Sequence, residues 1–228
     1  MTAARVARIV AVNAGLSDPS STRLLVDRVV AEVANEFGAH GITAQIEIID
    51  LRDLAVAIGE SLAAGFATGA VADAIARVQD ADALIAATPV FNASYAGLFK
   101  SFFDLVDVDE MAGKPVLIAA TGGSPRHSLV LDHALRPLFG YLRTVVVPTG
   151  IYAASQDWAG ESGDTATLDD RIRRSVAELV ALVAARVHAD YVVAKPDSTT
   201  IPVAELSTTD RAEAAGIANF ARLLGGSD

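Results

Sequence analysis

One apolar run that meets a proline constrains this chain more than any other stretch: Ala83-Leu84-Ile85-Ala86-Ala87, followed by Thr88-Pro89. Five consecutive apolar residues leave no face for solvent, so the run reads as a strand covered on both sides. Pro89 lacks a backbone donor and disfavours the helical region for Thr88, which predicts that the strand stops there. Pro89, Val90, Phe91, Asn92, Ala93 and Ser94 then form a short extended loop at a strand's carboxyl end. In open α/β sheets ligands sit at such ends. A proline, an aromatic and small residues suit a flat ring lying against backbone better than a charged substrate.

The rest of the chain alternates around this run. Val6–Val12 is a β-branched strand, and a helix from about Thr22 to Phe37 carries Leu25, Val29, Val33 and Phe37 at helical spacing. Thr43–Ile49 alternates as a second strand near an edge, whereas residues 55–69 are rich in Ala and Gly and read as a loop with a loose helical turn. A helix over Ala70–Asp80 leads into the opening strand, and Ser101–Val106 reads as the next helix. Val116–Ala120 is a fourth strand, Ser128–Leu142 a helix, and Thr144–Val147 a fifth strand that Ile151–Ala154 extends. Thr167–His188 closes the pattern as a long helix. Strand and helix alternate five times, which predicts a doubly wound five-stranded parallel sheet with helices on both faces over residues 1–188. Residues 189–228 change character: Lys195–Thr200 is linker-like and Thr209–Leu224 reads as a last helix.

Composition bounds the function. A length of 228 residues suits one α/β domain. The absence of cysteine removes disulfides and thiolate metal sites, and is compatible with a reducing cytoplasm. A formal charge of -10 argues against a nucleic-acid partner. No apolar run reaches membrane-spanning length, so a soluble cytoplasmic protein is expected. His40, His133 and His188 are scattered and lack paired carboxylates at metal spacing, so no metal is assigned, and no Gly-x-Ser-x-Gly elbow marks Ser94 or Ser124 as a nucleophile.

A flavodoxin-like strand order brings three loops to one edge. The first holds Ser17, Ser20, Ser21 and Thr22 at a helix start, where free N–H groups and the positive dipole end attract an anion. Its plainer reading is an ordinary N-cap. The second is the Pro89–Ser94 loop, with Asn92 or Ser94 as a cap in its plainer reading. The third is Thr121, Gly122, Gly123 and Ser124, where glycine lets backbone approach a ligand; Arg126 and His127 follow it. Trp158 reads as a core anchor, and Lys100 with Asp104 as a helix-surface pair.

Thr88-Pro-Val-Phe-Asn-Ala-Ser-Tyr-Ala-Gly-Leu-Phe-Lys100 with Asp104, Gly113-Lys-Pro115 and Ala120-Thr-Gly-Gly-Ser-Pro-Arg-His127 resemble the NADPH-dependent FMN reductase family of flavodoxin-like proteins. Leu131–Leu138 is similar to the reductase components of two-component flavin monooxygenases. The resemblance covers about residues 5–188. It implies FMN phosphate on Ser20, Ser21 and Thr22, and isoalloxazine against Pro89–Ser94 and Thr121–Ser124. It also implies a homodimer or homotetramer whose sites neighbouring subunits complete. Many members have an arginine near the position of Ser17, which leaves Arg23 as the nearby cation here; alkanesulfonate-type reductases tend to have tyrosine where His133 stands.

The expected activity is hydride transfer from NADPH or NADH to FMN, with reduced FMN supplied to a partner flavin-dependent monooxygenase. No catalytic acid or base is needed. Arg126 and His127 are the cations for a phosphate of the nicotinamide nucleotide. Alternatives are an FMN-bound quinone, azo or metal-oxyanion reductase, a non-enzymatic flavodoxin-type electron carrier, and a binding module without redox activity.

Overall fold

The fold is taken from a computed structural model, which describes residues 6–158 and 166–188. The predicted helix at Thr209–Leu224 and the linker before it lie outside the described residues. The first half runs β1 (Val6–Asn13), α1 (Ser21–Ala39), β2 (Thr43–Asp50), α2 (Ala55–Ala64), α3 (Gly69–Asp80), β3 (Ala83–Phe91), β4 (Ser94–Tyr95), α4 (Gly97–Phe103) and α5 (Val108–Met111). There follow β5 (Pro115–Gly122), α6 (Arg136–Tyr141), β6 (Val145–Val146), β7 (Ile151–Ala154), α7 (Ser155–Trp158) and α8 (Leu168–His188).

The strands order as β2-β1-β3-β5-β6, with β7 also on β5 and β4 on β3. All pairs are parallel except β3 with β4. This is the expected flavodoxin-like α/β sheet, with the two short strands adding to the five. Ala83, Leu84, Ile85, Ala86 and Ala87 are all fully buried, as a strand between two helical layers demands. One core packs α1 and α8 on one face through Leu25, Val29, Phe37, Val176 and Val180. The other sets Ile58, Ile75, Phe99, Phe102 and Phe139 against the opposite face. Among the described residues no single helix is long and apolar enough to cross a membrane.

Four expectations change. Residues 55–64 are a helix, not a loop, ended by Gly65 at φ +81°. Of that helix only Ile58 and Ser61 are buried, so its alanines hold it helical without an apolar stripe to betray it. β3 does not stop at Thr88 but runs through Pro89 to Phe91. Its pairing with β1 ends at Ala87, so beyond that point a missing donor disturbs little of the ladder. Instead Thr88 Oγ1 accepts from Ala96 N and donates to Pro89 O, at 3.0 Å each. The chain then turns back through Asn92 and Ala93, both at positive φ, into β4, and the next helix starts early, at Gly97.

The helix expected over 128–142 is instead a π-helical turn at Leu131–Leu135 leading into α6. Pro137 cannot donate to the carbonyl one turn back, which suits a widened turn there. The fifth strand is broken between β6 and β7 at Pro148-Thr149-Gly150. Helix α8 replaces the lost ladder partners: Glu178 accepts from Thr149 N and Oγ1 at 2.7 Å, and Ser175 Oγ donates to Thr149 O at 2.7 Å.

At the opposite end of the sheet, Lys114 is buried and its Nζ donates to the carbonyls of Gln79, at 2.9 Å, and Ala81, closing the end of α3. Lys114→Met strands those carbonyls and should lower the unfolding free energy by about 2 kcal/mol, measured by urea denaturation. Burial lowers the lysine's pKa from 10.5 in the folded chain. The unfolded chain therefore binds more protons between the two values, and wild-type stability relative to Lys114→Met should rise with pH through that window.

Candidate active site

The carboxyl ends of β1, β3, β5 and β7 meet in a crevice of about 630 Å³. Its walls are Leu16, Ser17, Ser20, Ser21 and Thr22 from the first loop and helix start, and Pro89, Val90 and Phe91 from β3. Thr121, Gly122 and Gly123 from β5 and Ser155 and Trp158 from α7 complete it.

Local sequence explains each wall. Asn13 is buried at the end of β1; its Oδ1 accepts from Gly15 N at 3.0 Å and its Nδ2 donates to Asp50 Oδ1 at 2.7 Å. That pair folds the first loop onto α1 so closely that a Cβ on Gly15 would lie 2.1 Å from Ser20 Oγ. Ser20 caps α1, its Oγ accepting from Arg23 N at 3.2 Å. Thr22 is buried, and its Oγ1 lies 2.7 Å from Thr121 Oγ1. This contact joins the helix start to the end of β5.

The two glycines of the third loop serve different ends. A Cβ on Gly122 would lie 2.2 Å from Tyr152 Oη, so glycine there makes room for the protein's own tyrosine. Tyr152 Oη donates to Ser124 O at 2.6 Å, and burial, with a smaller contribution from Asp157, raises its pKa and keeps it a donor. Gly123 has nothing within 4 Å of a Cβ and leaves backbone open at the crevice.

Ten of the residues singled out from sequence therefore line one crevice: Ser17, Ser20, Ser21, Thr22, Pro89, Val90, Phe91, Thr121, Gly122 and Gly123. Six do not line it. Asn92 and Ala93 form the exposed hairpin turn, and Ser94 faces a separate cavity beside Lys100 and His133. Ser124 caps a short 3₁₀ turn, accepting from Arg126 N at 3.3 Å, and Arg126 and His127 are exposed on that turn. Leu16, Ser155 and Trp158 were missed. Trp158 is half-buried, packs on the α1–α8 core and has the Arg28 guanidinium 5.0 Å from its ring centroid. Its signal was present in the position after Ile151–Ala154, once that segment is seen as a full strand ending at the same edge.

Arg23 is engaged: Nε lies 2.9 Å from Asp27 Oδ1 and Nη1 bonds Asp50. Lys100 pairs with Asp104 on α4, as expected. Among the described residues no group of three or more His, Asp or Glu side chains is placed to hold a metal ion.

The residues suit a flavin mononucleotide. A capped 19-residue helix opens at one end of the crevice, open glycine backbone and the half-exposed Phe91 ring stand elsewhere along it, and its volume is that of a small-molecule pocket.

Comparison with known proteins agrees with this geometry. The family model for NADPH-dependent FMN reductase matches residues 7–159. An FMN reductase (NADPH) of Pseudomonas aeruginosa is 36% identical over 179 residues, 78% of this chain and 94% of that protein. The NADH-dependent FMN reductase SfnE of Pseudomonas putida is 38% identical over 177 residues, covering 78% and 92%. A crystal structure of an oxidoreductase from Corynebacterium diphtheriae, 41% identical, superposes with a TM-score of 0.75 over 80% of this chain and 99% of that one. The chain belongs to the NADPH-dependent FMN reductase family.

Proposed function

We propose that the crevice binds FMN and that the protein is an NAD(P)H:FMN oxidoreductase whose reduced FMN serves a partner flavin-dependent monooxygenase. The observation that carries this reading is the single crevice joining a helix start to the open backbone of Gly123. Flavin supplies the acceptor for a hydride from reduced nicotinamide.

The chain's own part is placement. Ser17, Ser20 and Ser21, with the free N–H groups of α1, hold the phosphate. Thr22 is spent on Thr121 and keeps that wall in register. Pro89, Val90, Phe91 and the Gly122–Gly123 backbone would hold the ring system between them. Backbone donors at the crevice wall would hydrogen-bond to a bound flavin, and the apolar walls would limit water around it. Asn92, Ala93 and Ser94 make the turn that follows the Pro89–Phe91 wall, and Ser124 caps the turn that follows Gly123. Arg126 and His127, exposed just past Gly123, take a phosphate of the nicotinamide nucleotide. The protein works as a dimer or tetramer in the cytoplasm, and the exposed rings of Phe91 and Tyr141 are open to a neighbouring subunit.

Protein mixed with FMN and NADPH should consume NADPH, followed by its near-ultraviolet absorbance; no consumption with NADPH or NADH contradicts the assignment. Gly123→Val places a side chain in open crevice space rather than in the core. The variant should melt within about 2 °C of wild type while flavin binding falls at least about tenfold; unchanged binding would place the flavin elsewhere. Arg126→Ala should raise the KM for NADPH several-fold with kcat little altered, and unchanged kinetics would remove Arg126 from that role.

A further inference from the structure

Beside the first loop lies a smaller cavity of about 180 Å³ that shares Ser17 and Ser20 with the crevice lining. On the crevice reading above, this is the phosphate end. Its cations are Arg23 and Arg52, and its anions Asp18, Asp50 and Asp53. Both guanidiniums already face carboxylates. Arg23 is held between Asp27, at 2.9 Å, and Asp50. Asp50 is itself fixed on its other oxygen by Asn13 Nδ2 at 2.7 Å. Arg52 stands 3.9 Å from each of Asp18 and Asp53. The bond to Asp27 is the largest influence on Arg23 and raises its pKa, with Asp50 adding to it against the effect of burial.

A phosphate monoester brings close to two negative charges at neutral pH. The start of α1 offers about half a positive charge. A free guanidinium would supply the missing compensation through paired hydrogen bonds. Here Arg23 already bonds Asp27 through Nε and Asp50 through Nη1, and Arg52 stands beside two further carboxylates, so the two cations are offset by the protein's own anions.

We infer that Asp27 and Asp50 mask Arg23 and thereby set the flavin selectivity of the crevice: the ring system, not the phosphate, governs affinity, so riboflavin binds nearly as well as FMN. This rests on the crevice being the flavin site. It also gives the flavin the character of a substrate that enters and leaves, as delivery to a second enzyme requires.

The test is a fluorescence titration of the whole chain with FMN and with riboflavin, at low and high salt. The wild-type dissociation constants should lie within about fivefold of each other, with the FMN value changing little with salt. Asp27→Asn, on the exposed side of α1, frees one edge of Arg23. It should tighten FMN by about fivefold while the riboflavin constant moves less than about twofold. Asp27→Asn/Asp50→Asn should extend that gain; if the double variant fails to fold, the single variant decides. A wild-type preference for FMN of about a hundredfold or more, or an unchanged ratio in Asp27→Asn, overturns the masking but leaves the crevice reading intact. Failure of wild type to bind either flavin overturns both.

Discussion

Two buried hydroxyls meeting across 99 residues of sequence hold the site together. Thr22 lies in the first turn of α1 and Thr121 near the end of β5, and their Oγ atoms lie 2.7 Å apart, both residues buried. A hydroxyl buried there without a partner costs about 1–3 kcal/mol, so each residue specifies the other's position. The contact ties the start of α1 to the end of β5, beside the Gly122–Gly123 wall.

The neighbouring loops are tied to the same frame by their own polar groups. Asn13 folds the first loop, Thr88 supplies the hydrogen bonds that bracket Pro89, and Tyr152 grips Ser124 from beneath. Each of these side chains meets backbone, so the crevice walls are made rigid while their solvent-facing donors stay available. The arrangement suits chemistry in which the bound groups react with each other and the protein contributes geometry. The charge pattern adds a second layer. In a chain of net charge -10, even the cations nearest the helix start are matched by carboxylates, so side chains there add little net positive charge.

Much of this was legible in the sequence because parallel strands buried on both faces leave an unmistakable run, as at Ala83–Ala87, and because the loops after such strands share one edge. The three loops and ten of their residues could be placed by that logic alone. What could not be read depended on tertiary partners. Helix α2 hides its identity because it buries almost nothing. The continuation of β3 through Pro89 depends on where β1 stops pairing, and the broken fifth strand on side chains of α8. Gly122 and Gly123 look alike in sequence, yet one is required by Tyr152 and the other is open. Trp158 packs on the core as read, and its second place at the crevice follows from β7 ending beside the first loop. Arg23 looked like a cation at hand for phosphate, and only the fold brings Asp50 from β2 against it.

The most direct test of the account is a crystal structure of this chain grown with FMN. The account predicts one flavin in the crevice, its phosphate at Ser20 and Ser21 and its ring between Pro89–Phe91 and Gly123, with Thr22 and Thr121 still in contact. A flavin bound outside that crevice, or one seated only after the two threonines part, would contradict it.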